Sequence, residues 1–131
     1  MRTTRDRRPL LIGVGIDAVD VERFRRVLAR RPEVAERVFT EAERSTMSAR
    51  SDPVPGLAAR FAAKEAAMKA LGTGLGGVRF SELEVVRTET GAPRLEVSGL
   101  AARRAAELGV RAWHLSITHT ASVAAAVVVA D

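Results

Sequence analysis

The hydrophobic pattern changes period several times along the chain. Leu10 to Ile16 is a short apolar run interrupted only by Gly13 and Gly15, which predicts a buried strand ending at Asp17. Its two glycines predict close approach by another backbone or a ligand. From Val21 the period becomes helical. Val21, Phe24, Val27 and Leu28 share one face of a helix over 21–31, with Asp20 as its cap and Pro32 as its stop. A short helix is expected over 33–39. Thr40-Glu41-Ala42-Glu43 has the spacing of a capping box and starts a helix at Glu41 that fades near Arg50.

After a proline- and glycine-containing loop, Ser51 to Gly56, the longest helical pattern runs over 55–71 and stops at Gly72. Its apolar stripe is Leu57, Phe61, Met68 and Leu71. At ~100° per residue, Lys64 falls inside that stripe and Glu65 at its edge. A glycine-rich loop follows over 73–77. Strand patterns over 82–87 and 94–97 flank the turn Thr88 to Pro93 and predict a hairpin. Ser98 and Gly109 bracket a helix over 99–108. Residues 112–118 and 122–130 form a last apolar hairpin with His119 and Thr120 at its turn. The class is α+β: a mainly antiparallel sheet packed on a long central helix.

Composition sharpens this. The chain has 131 residues, 47% of them hydrophobic, which fits one domain over 10–131 behind a basic, flexible tail over 1–9. Only four Phe and one Trp are present, so the core is thin and a homo-oligomer is expected. There is no cysteine, which excludes disulfides and thiolate metal sites and fits a reducing cytoplasm. No apolar run reaches the ~20 residues of a membrane span, and Leu10 to Ile12 is too short for a signal-peptide core. The net charge is +5, which favours acidic partners. Scarce aromatics and the absence of a recognition motif argue against nucleic acid.

Few residues stand out chemically. Asp17, at a strand end beside relaxed backbone, suits a turn or a hard cation such as Mg²⁺. Lys64, a charge within an apolar stripe, must be paired, snorkelled or functional. Glu65 and Lys69 form an i, i+4 pair of the kind that merely supports a helix. Gly72 to Gly77 lies at a helix C-terminus, where dipole logic argues against a phosphate cradle. His114 alternates within a strand as a half-exposed residue. His119 sits at a hairpin tip, where packing does not explain it. No pattern for an internal nucleophile is present.

Taken in order, Gly13-Val14-Gly15-Ile16-Asp17, Arg60-Phe61-Ala62-Ala63-Lys64-Glu65-Ala66, Lys69-Ala70-Leu71-Gly72-Thr73-Gly74 and Leu115-Ser116-Ile117-Thr118-His119 resemble the holo-acyl-carrier-protein synthase family, the small 4'-phosphopantetheinyl transferases. The resemblance covers about residues 10–130. It implies that Asp17 and Glu65 hold Mg²⁺, which also binds the pyrophosphate of coenzyme A. It places Lys64 and Lys69 toward the phosphates, His119 near the 3'-phosphate, Gly72, Thr73 and Gly74 along the nucleotide, and Arg60 among the residues that bind the coenzyme. It implies a homotrimer with sites shared between neighbours.

The co-substrate it implies is coenzyme A, and the acceptor is a serine of an acidic apo acyl carrier protein, of fatty-acid or polyketide type. Arg23, Arg26 and Arg30 on the first helix are the expected docking face. Catalysis would rest on Glu65, Lys69 and Asp17, with the base open between Glu65 and a bound water. Two positions depart from the family pattern. Thr118 replaces a serine and keeps its hydroxyl. Ala92 stands where the hairpin turn usually carries lysine, so that contact is lost unless Arg94 supplies it. Ala92 also leaves room for a second reading, a catalytically silent relative that binds nucleotide or acidic protein.

Overall fold

The computed structural model describes residues 11–73 and 77–131. In chain order the elements are β1 (Gly13–Asp20), α1 (Val21–Arg30), α2 (Glu33–Val38), α3 (Glu41–Ser48), α4 (Val54–Leu71), a 3₁₀ turn (Phe80–Glu82), β2 (Leu83–Arg87), β3 (Pro93–Val97), α5 (Gly99–Leu108), β4 (Trp113–His119) and β5 (Val123–Ala130). Both sheets are antiparallel: a three-stranded sheet ordered β1-β5-β4 and the hairpin β2-β3. The basic tail expected over 1–9 and Gly74 lie outside the described residues.

The three-stranded sheet lies across α4, and glycine makes the contact possible. A Cβ on Gly13 would stand 1.9 Å from the Ala70 carbonyl oxygen, and one on Gly15 1.7 Å from that of Ala66. The glycines of β1 therefore admit another backbone, that of α4. Alanine does the same from the helix side: Ala62, Ala63, Ala66, Ala67 and Ala70 are buried there. The stripe expected on α4 is an underestimate. Residues all round the helix are buried, because the sheet, α1, α3 and the hairpin enclose it from several sides. Gly72, at φ 70°, ends it in the left-handed conformation, and the Thr73 N–H closes on the Met68 carbonyl at 3.1 Å.

Three further expectations need correction. The first strand begins at Gly13 and runs through Asp17 to Asp20, later than the expected Leu10 to Ile16, because pairing with β5 continues from Gly13↔Ala130 to Asp20↔Val123. Nor is the strand buried on both faces. Gly13, Gly15, Asp17 and Val19 face inward, whereas Val14 is 55% and Ile16 64% exposed. The helix cap expected of Ser98 is supplied from elsewhere: the Ser98 side chain makes no cap bond, and a Glu82 carboxylate oxygen accepts from the Leu100 N–H at 2.7 Å. The Thr40–Glu43 capping box is present as expected.

A second core lies between α1, α2, α3 and α4. All four phenylalanines join it or border it in one run: Phe24 and Phe39 meet at 6.2 Å between ring centroids, Phe24 and Phe61 at 5.1 Å, and Phe61 and Phe80 at 5.6 Å. These spacings are those of favourable aromatic pairs, and they concentrate a small aromatic content where the helices converge. No helix among the described residues is long and apolar enough to cross a membrane.

Candidate active site

Asp17 reaches the site from the inward face of β1, and Glu65 from the edge of α4. Both line a cavity of about 500 Å³ whose other walls include Arg23, Phe24 and Val27 of α1, Val34 of α2 and Phe61 of α4. Burial pushes the Glu65 carboxyl above its ordinary range and the neighbouring Asp17 charge pushes it further, while Lys69 opposes both. Two carboxylates whose charges repel at the floor of one cavity are a site that a cation would relieve. Among the described residues no group of three or more His, Cys, Asp or Glu gathers as a metal cage. Two carboxylates suit Mg²⁺ nonetheless, since that ion is commonly held by one or two carboxylates together with substrate phosphates and water.

Lys69 closes this side of the site. Its ammonium donates to the Ile16 carbonyl at 2.9 Å and to Asp17 Oδ1 at 3.2 Å while remaining largely exposed. The i, i+4 pair expected with Glu65 is thus superseded: β1 brings a carboxylate and a carbonyl closer to the ammonium.

Lys64 is elsewhere. Its side chain is 0% exposed and its ammonium makes three short contacts, to Glu43 Oε1 at 2.7 Å and to the carbonyls of Phe80 and Leu83 at 3.0 Å each. Those partners use all three of its protons. Lys64 therefore does not face a phosphate, and the reason is its place in the stripe: the core that encloses Met68 and Leu71 also encloses Lys64. Glu43, likewise buried, accepts from the Thr40 N–H at 2.9 Å and the Val85 N–H at 2.8 Å. Sequence inspection misses this partner because Glu43 already has a sufficient local role as the capping-box glutamate. Burial lowers the Lys64 ammonium from its ordinary value, and the Glu43 carboxylate acts against that shift.

Arg60 opens a second cavity. It is buried, with Nη1 3.5 Å from the Gly56 carbonyl and 3.4 Å from Met47 Sδ, and its Nε has no partner among the described residues. With Arg87, Val85, Gly91, Pro93 and His119 it lines a space of about 210 Å³ between the β2–β3 hairpin and the end of β4. Burial lowers its guanidinium from the ordinary value, against the pull of Glu43. An under-satisfied guanidinium beside a second arginine and an exposed histidine is a receptive setting for an anion. Arg87 and Pro93 were not singled out from sequence; only the hairpin's position brings them to His119. Arg60 and His119 thus share one cavity, and Asp17, Glu65 and Arg23 the other. His114 is more exposed than expected, its Nε2 3.7 Å from Asp131.

The model of the 4'-phosphopantetheinyl transferase superfamily matches residues 13–128. The chain belongs to that superfamily. Within it, the chain is 52% identical to a holo-[acyl-carrier-protein] synthase of Streptomyces griseus over 122 residues, covering 93% of this chain and 99% of that protein. The crystal structure of the synthase from Neisseria meningitidis superposes with a TM-score of 0.86 at 31% identity, covering 93% of this chain and 99% of that one. A synthase from Bacillus anthracis, solved in complex with CoA (3',5'-ADP), gives a TM-score of 0.77 at 34% identity over 92% of this chain and 96% of that one. The α+β transferase fold is thus the family's own.

Proposed function

We propose that this chain transfers the 4'-phosphopantetheine group of coenzyme A to a serine of an apo acyl carrier protein, with a divalent cation held by Asp17 and Glu65. The observation that carries the reading is the convergence of those two carboxylates on one cavity, with Lys69 bonded to Asp17, in a chain about half identical to a holo-acyl-carrier-protein synthase over nearly its whole length. In the reaction, the serine oxygen forms a bond to the phosphorus that bears pantetheine, the bond from that phosphorus to the leaving nucleotide phosphate breaks, and the serine proton is released. No protein nucleophile is needed, which agrees with the lack of one in the sequence.

A cation bound there supplies charge neutralisation on the pyrophosphate as the leaving group departs. Lys69 holds Asp17 in place and adds positive charge beside the reacting phosphates. Arg60 and His119 receive the nucleotide's phosphate, in keeping with the coenzyme seen in the Bacillus anthracis neighbour. The wall of α1, with Arg23 inside the cavity and Arg26 and Arg30 beyond it, docks the acidic carrier. A chain of net charge +5 favours that encounter.

The assembly we favour is a homotrimer in the cytoplasm with sites shared between neighbours. The outer sheet face supports it: Val14, Ile16, Val123 and Val127 are exposed there, with Ile16 and Val127 paired across β1 and β5. Such a contiguous apolar face is covered in most proteins. The separate placing of the carboxylate cavity and the Arg60–His119 cavity supports it too, since one site then draws on two faces.

The test is transfer itself. Incubation with apo carrier protein, coenzyme A and Mg²⁺ is expected to add one phosphopantetheine to the carrier by mass spectrometry. Coenzyme A binding with no mass gain over several carriers would instead establish a silent relative.

A further inference from the structure

Lys64 is the one charged residue of α4 that the reaction leaves without a task. It lies one helical turn after Arg60, in the same row of α4. From there its ammonium spans to Glu43 on α3 and to the Leu83 carbonyl at the start of β2. Glu43 in turn accepts from the Val85 N–H. Val85 and Arg87 of the same strand form the wall opposite Arg60 in the anion cavity. Glu43, Arg60, Glu84 and Val85 also line a neighbouring cavity of about 320 Å³. The pair is thus a strut between the helix that carries Arg60 and the strand that faces it. Both ends are free of solvent, so neither can relax by exchanging its partner for water.

We propose that the buried Lys64–Glu43 pair is a positioning strut that sets the gap between Arg60 and the β2–β3 hairpin, and so the fit of the anion that enters there. Lys64 acts through Arg60 and the hairpin and touches no substrate. Neither Lys64 nor Glu43 lines the cavity of Asp17 and Glu65, so loss of the strut acts on coenzyme binding more than on the chemical step. This inference rests on the coenzyme A reading of the Arg60–His119 cavity.

The experiment is steady-state transfer with three variants, Glu43→Gln, Lys64→Met and the pair Lys64→Met/Glu43→Leu, each assayed below its own melting temperature. Replacing both partners by apolar side chains removes the buried charges together, so the double variant is the one expected to fold best. The strut predicts that KM for coenzyme A rises about tenfold in Glu43→Gln and in Lys64→Met, that kcat stays within about twofold, and that the double variant is no worse than either single one. A purely structural pair would lower the melting temperature and leave KM unchanged in folded variants, which overturns the proposal. A direct phosphate contact by Lys64 would leave Glu43→Gln with the parent KM while Lys64→Met loses affinity, which overturns it as well. Failure of every variant to fold also counts against it, since the pair would then have no role separable from the scaffold. If the parent enzyme makes no transfer, the functional reading has failed instead, and calorimetric affinity for coenzyme A replaces KM as the readout for the strut.

Discussion

Lys69 and Asp17 meet across the seam between α4 and β1, with Nζ 3.2 Å from Oδ1 and 2.9 Å from the carbonyl oxygen of Ile16. The contact is possible only because glycines at 13 and 15 let the strand lie directly on the helix. The backbone requirement at Gly13 and Gly15 thus lies on the same strand as Asp17, the carboxylate that Lys69 holds. If Lys69 both orients Asp17 and neutralises phosphate charge, Lys69→Met lowers kcat about 10²–10³-fold, the usual scale for losing one electrostatic stabiliser. A fall in kcat with a small change in melting temperature is the expected pattern; parent kcat in the variant contradicts the role.

The Glu65 carboxyl sits above its ordinary range through burial and the Asp17 charge, which makes two pH predictions of known sign. Cation binding needs the ionised form, so transfer falls as pH drops through that raised value. For stability the sign is opposite. An acid whose folded pKa is raised contributes stability that is present below its unfolded pKa and lost as pH rises through the folded one. Glu65→Gln is therefore expected to be at least as stable as the parent at pH 7, with the difference vanishing in acid. Paired thermal melts at the two pH values check this; a variant markedly less stable at pH 7 contradicts it.

The seam itself is testable. Gly15→Ala would put a methyl 1.7 Å from the Ala66 carbonyl oxygen, and a backbone atom cannot swing aside as a side chain can. Overpacking of this kind costs about 1–3 kcal/mol, read as a lower urea midpoint with an unchanged slope. An unaltered midpoint would mean that β1 and α4 are not in contact.

The proposed assembly makes its own prediction. Ile16→Asp places a charge in the exposed apolar face of β1 and is expected to yield monomers by light scattering, with activity lost in proportion. If sites are shared, mixing Asp17→Asn with His119→Ala, each inactive or weak alone, restores part of the transfer activity. No recovery after co-refolding argues for sites made by one chain.

Much of this was legible in the sequence because it is local. The Thr40–Glu43 box, the Gly72 and Gly109 stops and both hairpins follow from neighbours a few residues apart and form as the pattern predicts, except that His119, expected at the last turn, is the final residue of β4 and pairs with Ala124. The long-range facts were less accessible. Lys64 announced itself as a charge within an apolar stripe, yet its partner is an acid on another helix that already has a local explanation. Asp17 looked like a strand end because carboxylates end strands; only pairing with β5 shows the strand continuing through it. The helix α4 is enclosed from several sides, and no single stripe encodes that.

Asp17 and Glu65 are proposed to act together on one cation during transfer. The most direct measurement is carrier mass gain as a function of Mg²⁺ concentration for the parent, Asp17→Asn and Glu65→Gln. A saturable Mg²⁺ dependence is expected in the parent and loss of transfer in both variants, with the fold intact by circular dichroism. Transfer by both variants at the parent's rate and Mg²⁺ dependence would contradict it.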